Sequence, residues 1–264
     1  MVKKDTIIIK TIQPDLIWED KKTNMERLKK MADQSDENPD IIVFPEMFTT
    51  GFTMNSNLYA ENNFCDTFLW MKKIASKNNC AVMGSYIVND RDNFFNRLFF
   101  VDENGNSIYY DKHHLFRYAK ENEYYTPGFE RKIFIYKGWR ILPQICYDLR
   151  FPVWSRNQND YDLIINVANW PESRRDVWTT LLKARAIENQ AFVVGVNRIG
   201  TDGNGISYSG DTRIFGPKGN TLLSINPNKE SVDSVAINIQ ELVGFRNKFP
   251  VWKDADKFRI IENQ

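Results

Sequence analysis

Apolar runs rich in β-branched residues alternate with amphipathic patterns along the chain, and this alternation is the strongest constraint on its fold. Short apolar runs closed by proline or glycine are typical of buried strands, whereas apolar residues three or four apart are typical of helices. In the first third of the chain, strands are predicted at residues 6–9, 40–44 and 80–84, and helices at residues 19–34 and 62–78. Strands that alternate with helices indicate an α/β fold in which helices cover mixed sheets.

The remainder of the chain is predicted to be richer in strands. Predicted hairpins span residues 94–110 and 133–145, predicted strands span residues 162–167, 192–197, 207–215, 221–224 and 234–239, and one helix spans residues 173–190. Ser173 is expected to be the N-cap of that helix. The glycine-rich segment 201–205 lies between two strands, which favours a turn over a phosphate-binding loop.

The composition of the chain limits its domain organisation, its binding partners and its cellular compartment. No Pro/Gly/Ser-rich linker and no repeat interrupts the 264 residues, so a single domain over residues 1–264 is predicted. Lys and Arg number 35 against 34 Asp and Glu, and this net charge of +1 argues against nucleic acid or an anionic membrane as a partner. The N-terminal apolar run is too short for a signal peptide. Three cysteines without a C-x-x-C pair and two adjacent histidines favour a reducing cytoplasm over a disulfide framework or a zinc site.

A cysteine ends one of the apolar runs. Residues 141–145 indicate a buried strand, and polar and turn-forming residues follow Cys146 as far as Pro152. A thiol at such a junction has backbone N–H groups nearby and a route to solvent, which are the conditions for a nucleophile. The alternative is that Cys146 packs in the core, as free cysteines often do.

Two other strand ends carry ionisable side chains. Glu46 follows a predicted strand and Pro45, where the alternative to a functional carboxylate is a loop carboxylate or a helix cap. Lys112 lies among aromatic and apolar residues at the end of a predicted hairpin, where the alternative is an exposed turn lysine. Each of these residues alone is weak support for a catalytic site.

Together the three residues suit amide hydrolysis. A thiol that attacks an amide carbon needs a base, donors for the oxyanion and an acid for the departing amine. Glu46 is expected to be the base and the acid, while Lys112 and the backbone N–H of Tyr147 are expected to stabilise the oxyanion. Lys112 is also expected to lower the pKa of Cys146. Such a mechanism requires neither a metal nor an organic cofactor.

The motifs around these residues resemble those of the nitrilase (carbon–nitrogen hydrolase) superfamily. They are Phe-Pro-Glu at Glu46, Asp-Lys-His-His-Leu-Phe at Lys112 and Ile-Cys-Tyr-Asp-Leu-Arg-Phe-Pro at Cys146, and the similarity extends through residues 166–171, 184–190 and 209–213. The resemblance implies a Glu-Lys-Cys triad in a four-layer α-β-β-α sandwich of mixed sheets covered by helices. It also implies a homodimer, with the C-terminal segment 240–264 at the subunit interface.

Within the superfamily the chain is most similar to the bacterial omega-amidases, through residues 169–171 with Arg174 and Trp178, and residues 245–256. This resemblance implies hydrolysis of a small-molecule substrate, the terminal amide of 2-oxoglutaramate or 2-oxosuccinamate, through a cysteine thioester. The alternatives are an N-carbamoyl-amine hydrolase, a nitrilase or another small aliphatic amidase. A Cys-His hydrolase that uses His113 or His114, and a catalytically inactive binding protein on the same fold, are alternatives of other kinds.

The resemblance also implies a second carboxylate beside the lysine. Two glutamates precede Gly128, and the spacing to this glycine favours Glu121 over Glu123. A solvated loop carboxylate is the alternative for either residue.

Substrate-binding residues are expected near the Trp-Pro motif. Arg174 is the candidate for the substrate carboxylate, because a guanidinium can bind a carboxylate through two parallel hydrogen bonds. The adjacent Arg175 is the alternative. Phe52 and Trp170 are expected to form walls of the substrate pocket.

Other charged residues are interpreted as structural. Arg185 and Glu188 are three residues apart on a predicted helix and are expected to pair across one turn. Arg150 is expected to brace the turn after the cysteine by pairing with Asp148 or another carboxylate.

Overall fold

The computed structural model describes residues 3–34 and 38–260. Residues 1–2, 35–37 and 261–264, which the single-domain prediction includes, lie outside the described residues. The strands are β1 (Thr6–Gln13), β2 (Ile41–Val43), β3 (Glu61–Asn62), β4 (Ala81–Asp90), β5 (Asn93–Val101), β6 (Ser107–Asp111), β7 (Phe134–Tyr136), β8 (Trp139–Ile145), β9 (Leu163–Val167), β10 (Phe192–Val196), β11 (Ile199–Thr201), β12 (Ser207–Ser209), β13 (Arg213–Phe215), β14 (Thr221–Ser224) and β15 (Ser231–Asn238). The helices are α1 (Lys21–Ala32), α2 (Ser56–Tyr59), α3 (Asp66–Asn78), α4 (Glu121–Tyr124), α5 (Pro152–Ser155), α6 (Arg175–Asn189) and α7 (Ile239–Lys248).

Two large mixed sheets form the middle of the molecule. The first has the strand order β15-β1-β2-β4-β5-β6, with the short β3 paired to β4. The second has the order β14-β13-β10-β9-β8-β7. Apolar residues from the facing sides of both sheets, such as Ile41, Ile145 and Val167, pack into one buried cluster between them.

Helices cover the outer faces of both sheets. Leu28 of α1 and Met71 of α3 pack on the outer face of the first sheet, and Trp178 and Leu182 of α6 pack on the outer face of the second. These layers confirm the predicted α-β-β-α sandwich. No helix among the described residues has the length and apolar content that crossing a bilayer requires.

Strand direction brings the chemically important segments to one edge. Strands β8, β9 and β10 are parallel, so their carboxyl ends lie side by side. In the first sheet β2 and β4 are parallel, and β6 runs in their direction because β5 is antiparallel to both of its neighbours. Glu46, Lys112 and Cys146 therefore each follow the carboxyl end of a strand, β2, β6 and β8 respectively.

Two local predictions are wrong. Ser173 is not the N-cap of α6, because it lies within a 3-10 turn, Glu172–Arg174, and the helix begins after Arg174 without a side-chain cap. The predicted strand 207–215 is interrupted between β12 and β13. Gly210 and Asp211 have φ angles of 79° and 58°, and this left-handed backbone cannot continue an extended strand.

Candidate active site

A cavity of about 610 Å³ opens where these strand ends meet. Its lining combines Lys112 and Cys146 with aromatic side chains and two arginines. The lining also includes Phe52, Phe116, Tyr118, Tyr147, Arg150, Asn169, Trp170, Arg174, Asp202 and Tyr208. The lining is therefore mostly apolar with a few polar groups, which is the usual composition of a small-molecule site.

Cys146 occupies a strained position directly after β8. It begins a 3-10 turn, Cys146–Arg150, with a φ angle of 46°. The left-handed region costs a residue other than glycine about 1–2 kcal/mol, so the surrounding contacts must hold the turn. The buried Asp148 carboxylate does so, because it accepts hydrogen bonds from Ile145 N (3.0 Å), Tyr110 Oη (2.8 Å) and His114 N (3.0 Å).

Lys112 lies between two carboxylates. Its Nζ donates to Glu46 Oε1 at 2.8 Å and to Glu121 Oε1 at 3.0 Å, and all three side chains are almost completely inaccessible to solvent. Asn96 on β5 donates its side-chain amide to Glu46 Oε1 at 2.7 Å. A buried lysine with two carboxylate partners is a fixed cation, and Asn96 in turn fixes one of those partners.

These carboxylates keep the lysine charged. Burial alone would lower the pKa of Lys112, but the negative charges of Glu121 and Glu46 outweigh it and hold that pKa above its usual value. Burial raises the pKa of Glu121, and Lys112 opposes that rise without cancelling it. The ammonium group is therefore available as an electrostatic partner for a developing anion.

The thiol of Cys146 is not acidic in this setting. Burial first, and then the negative charge of Glu46, raise its pKa well above the usual value, although Lys112 acts in the opposite direction. Lys112 therefore acts on the pKa of Cys146 in the predicted direction, but burial and Glu46 outweigh it and the net shift is upward. The thiol is therefore protonated at rest and needs a base to react. Its Sγ donates to the Asn169 carbonyl at 3.9 Å, and the negative charge of Glu46 acts on it from nearby.

Glu46 is fixed from the second sheet as well as from the first. The backbone N–H of Asn169, just after β9, donates to Glu46 Oε2 at 2.8 Å, and the Asn169 side chain donates to the Glu46 carbonyl at 2.6 Å. The sequence motif Asn-Trp-Pro marked this segment, but no local pattern indicated its contact with Glu46 or the contact of Asn96. Both asparagines are functional candidates that were missed in the sequence.

Of the two glutamates before Gly128, the structure brings only Glu121 to Lys112. Glu121 is the first residue of α4 and is fully buried, whereas Glu123 is exposed. The backbone N–H of Phe116 donates to Glu121 Oε2 at 2.6 Å, which orients the carboxylate towards the lysine.

The predicted pocket walls line the cavity. The Lys112 ammonium lies 5.0 Å from the centre of the Phe52 ring, and Trp170 is nearly fully buried behind the opening. Arg174 lies over the Phe116 ring, 5.2 Å from its centre, and faces the cavity. Arg175 points elsewhere, because it forms an ion pair with the buried Asp211 at 2.7 Å.

Tyr147 follows the cysteine and lines the same cavity. Its N–H lies in the first turn of the 3-10 segment, where backbone donors have no acceptor within the turn itself. Its ring packs edge-on against Phe116 and Phe151.

Arg150 does not have the predicted role. Asp148 binds His114 Nδ1 at 2.8 Å instead, and the Arg150 guanidinium lies 5.8 Å from the centre of the Trp170 ring, on the cavity side. The predicted pair of Arg185 and Glu188 is confirmed, with a distance of 2.9 Å.

The two histidines face away from the nucleophile. His113 stacks on Trp154 and its Nδ1 is 2.6 Å from the Gly128 carbonyl, while His114 stacks on Phe151 and pairs with Asp148. Neither residue lines the cavity that holds Cys146. Within the described ranges, no group of His, Cys, Asp and Glu side chains is arranged to hold a metal ion.

The fold and the site define a class of protein, an α-β-β-α sandwich with a Glu, a Lys and a Cys at the strand ends of its two sheets. The sequence model of the carbon–nitrogen hydrolase family matches residues 9–247. The chain belongs to this family, which confirms the resemblance seen in its motifs.

Individual relatives match over nearly the whole chain. An omega-amidase (YafV) of Yersinia enterocolitica is 43% identical, with 97% of this chain and 99% of the relative covered. A 2-oxoglutaramate amidase of Bacillus subtilis is 31% identical, with 94% and 97% covered. The crystal structure of XC1258 from Xanthomonas campestris, a carbon–nitrogen hydrolase superfamily protein with an arsenic adduct in its active site, matches with a TM-score of 0.95 and 37% identity over 97% of this chain and all of the other.

Proposed function

We propose that this chain is an omega-amidase. It hydrolyses the terminal amide of a 2-oxo dicarboxylic acid monoamide, such as 2-oxoglutaramate or 2-oxosuccinamate, to the 2-oxo acid and ammonia. The observation that carries the proposal is the Lys112 ammonium held between Glu46 and Glu121, in one cavity with Cys146 and the guanidinium of Arg174. The similarity to an omega-amidase and to a 2-oxoglutaramate amidase supports the choice of substrate.

Acylation begins with proton transfer from Cys146 to Glu46. The raised pKa of the thiol makes this base necessary, and Glu46, whose negative charge acts on the thiol, is the acceptor. Sulfur then attacks the amide carbon to form a tetrahedral intermediate. Glu46 returns the proton to the amide nitrogen, the carbon–nitrogen bond breaks, ammonia leaves, and a thioester remains on Cys146.

The oxyanion of the intermediate has two donors in this scheme. Lys112 Nζ supplies a fixed positive charge, and the backbone N–H of Tyr147 supplies a dipole beside the nucleophile. Glu121 positions Lys112, because it accepts a hydrogen bond of 3.0 Å from the ammonium group.

Deacylation reuses the same groups. Ammonia leaves room for a water molecule, Glu46 accepts a proton from it, and the hydroxide attacks the thioester carbon. The second tetrahedral intermediate collapses with departure of the thiolate, which takes the proton back from Glu46. The products are a carboxylic acid and the free thiol, without a metal or an organic cofactor in any step.

Substrate recognition is assigned to other residues of the same cavity lining. Arg174 binds the substrate carboxylate, and its guanidinium forms no ion pair with any residue that the structure describes. Phe52 and Trp170 enclose the aliphatic part of the substrate. An N-carbamoyl-amine hydrolase or a nitrilase would share the catalytic residues, and N-carbamoyl compounds are therefore among the substrates to be assayed.

The test is an ammonia-release assay with 2-oxoglutaramate, 2-oxosuccinamate, glutamine, asparagine and N-carbamoyl compounds. C146A, K112A and E46A should each lose turnover while their thermal unfolding remains cooperative. Cys65→Ala and Glu123→Ala are matched controls, because both residues lie outside the cavity lining and both variants should keep wild-type rates. Mass spectrometry of the quenched reaction should find an acyl adduct on Cys146, and turnover in C146A would overturn the triad assignment.

We further propose that the chain works as a single cytoplasmic domain that forms a homodimer. Helix α7 packs on its own domain through the buried Leu242 and through Arg246, which pairs with Asp162 at 2.9 Å. Beyond it, Phe249 and Trp252 are 60% and 41% exposed, and an apolar surface of this kind favours a subunit interface in the C-terminal segment 240–264. Sedimentation analysis tests this, since a monomer at working concentration would contradict the dimer.

A further inference from the structure

Two arginines, and not one, face the candidate site without a charged partner. Arg150 and Arg174 both line the cavity that holds Cys146. Neither guanidinium forms an ion pair or a hydrogen bond with any residue that the structure describes, and each lies over an aromatic ring instead. Arginines held in this way keep their donors available for an anion.

Trp170 connects the two arginines. The Arg150 guanidinium lies over its indole ring, 5.8 Å from the centre, and the indole Nε1 donates to the Arg174 carbonyl at 2.9 Å. Trp170 is only 4% exposed, and its backbone N–H is bound to Asn197 Oδ1 at 2.8 Å. The indole is therefore a rigid contact shared by the Arg150 guanidinium and the backbone of Arg174.

The cavity lining offers no free acidic group to neutralise this wall. Asp202 is the one carboxylate among the described lining residues. Its Oδ1 accepts from Asn204 N (2.8 Å) and Ile206 N (3.0 Å), and its Oδ2 accepts from Tyr208 Oη (2.8 Å). These three donors hold the hairpin between β11 and β12, so the carboxylate is engaged in the fold.

We propose that Arg150 is a second anion-binding residue, which acts with Arg174 to select amides that carry a 2-oxo acid group. This inference rests on the proposed function. A 2-oxo acid group presents two carboxylate oxygens and an adjacent carbonyl oxygen, which are more acceptors than the two parallel bonds of a single guanidinium satisfy. Glutamine carries an ammonium group at the carbon where the 2-oxo acid carries its carbonyl. That positive charge would face two guanidinium groups without a free carboxylate to offset them, which selects against glutamine.

The test compares an anionic and a neutral amide of equal chain length, 2-oxoglutaramate and pentanamide. R150Q should lower the ratio of their kcat/KM values by about 10- to 100-fold, because a hydrogen bond to a charged group is lost only for the anion. R150K keeps the charge but not the planar fork, so it should restore part of the ratio. The exposed Arg117 lies outside the cavity lining, and R117Q, with the same change of net charge, should alter the ratio by less than about threefold. Equal ratios in R150Q and the wild type would overturn the role of Arg150.

Anion binding can also be measured without turnover. The product-like anion 2-oxoglutarate should protect Cys146 of the wild type from alkylation by iodoacetamide, and R150Q should need about tenfold more anion for the same protection. Unchanged protection in R150Q overturns the inference even if the enzyme hydrolyses 2-oxoglutaramate. A wild type that cleaves pentanamide but not 2-oxoglutaramate would instead refute the proposed function, so the two failures are distinguishable.

Discussion

Asn169 holds Glu46 across the interface between the two sheets, with its backbone N–H on Glu46 Oε2 and its side-chain amide on the Glu46 carbonyl. Glu46, the proposed base, therefore follows a strand of the first sheet but is oriented by a residue that follows a strand of the second. Cys146, the proposed nucleophile, also follows a strand of the second sheet. Asn169 thus ties Glu46 to the sheet that carries Cys146, and the distance between the two side chains does not depend on the packing between the sheets alone.

Asn169→Ala should slow catalysis more than it weakens the fold. The variant leaves the buried Glu46 carbonyl without its donor, at a cost of about 1–3 kcal/mol in the free energy of unfolding. The backbone N–H on Glu46 Oε2 is kept, but the main chain of Glu46 is no longer anchored by the side-chain amide, so the carboxylate shifts and kcat should fall by about 10- to 100-fold. Asn78→Ala removes a comparable bond, from the side chain to the Ile74 carbonyl, far from the cavity. The control variant should have a lower free energy of unfolding than the wild type and an unchanged kcat. Equal kcat values in the two variants would refute the orienting role of Asn169.

Glu46→Gln should make Cys146 more acidic although it removes the base. The negative charge of Glu46 raises the pKa of the thiol, and Lys112 acts to lower it. Without that negative charge the thiolate is stabilised relative to the thiol, so the pKa falls. The rate of alkylation by iodoacetamide, measured against pH, should shift to lower pH in E46Q while amidase turnover is lost. A shift to higher pH would contradict the assigned arrangement of charges.

Glu121→Gln and Glu123→Gln form a matched pair two residues apart. Glu121 is buried against Lys112, so E121Q breaks a buried ion pair and should lower the free energy of unfolding by about 3 kcal/mol. It should also reduce kcat, because Lys112 then has one anchoring carboxylate instead of two. Glu123 is exposed, and E123Q should behave as the wild type in both measurements. The reverse order of effects would show that the lysine is held differently.

The sequence predicted the strand ends well because their signals are local. Glu46, Lys112 and Cys146 each follow a recognisable apolar run, and the parallel direction of the strands brings them to one cavity. The Asn96 and Asn169 contacts were missed because they join residues 50 and 123 positions apart, for which no local pattern exists. The role of Asn169 in catalysis remains a prediction, which Asn169→Ala tests.

Other errors have equally physical causes. Arg150 was assigned to Asp148 because they are neighbours in sequence, but the turn directs Asp148 inwards to four donors and Arg150 outwards to the cavity. The direction of the pKa shift of Cys146 could not be predicted from the nearby lysine alone. Burial and the negative charge of Glu46 raise this pKa and outweigh Lys112. Ser173 had the right residue type for a cap, but the 3-10 turn after Pro171 delays the start of the helix.

Arg174→Gln and Arg175→Gln should separate binding from folding. Arg174 faces the cavity without an ion pair among the described residues, so R174Q should raise KM for 2-oxoglutaramate by about 10- to 100-fold with little change in stability. Arg175 pairs with the buried Asp211, so R175Q should lower the melting temperature and leave KM unchanged. If instead R175Q raised KM and R174Q did not, the carboxylate site would have to be reassigned.

Asp148→Asn should reveal the carboxylate that holds the turn of Cys146. Burial opposes ionisation of Asp148, but hydrogen bonds from His114 and from the backbone of Ile145 outweigh it and hold its pKa below the usual value. The pKa of Asp148 is lower in the folded than in the unfolded state, so its ionisation stabilises the fold. This stabilisation is complete at pH values above the unfolded-state pKa of about 3.9. It is lost as the pH falls from there through the folded-state pKa. Urea unfolding at a series of pH values should therefore find the wild type more stable than D148N at neutral pH, with the difference shrinking below about pH 4. Phe116 lines the cavity and does not titrate, so F116L serves as a control whose stability difference from the wild type should not depend on pH in this range. A difference between wild type and D148N that grows in acid would mean that Asp148 is not held as the anion.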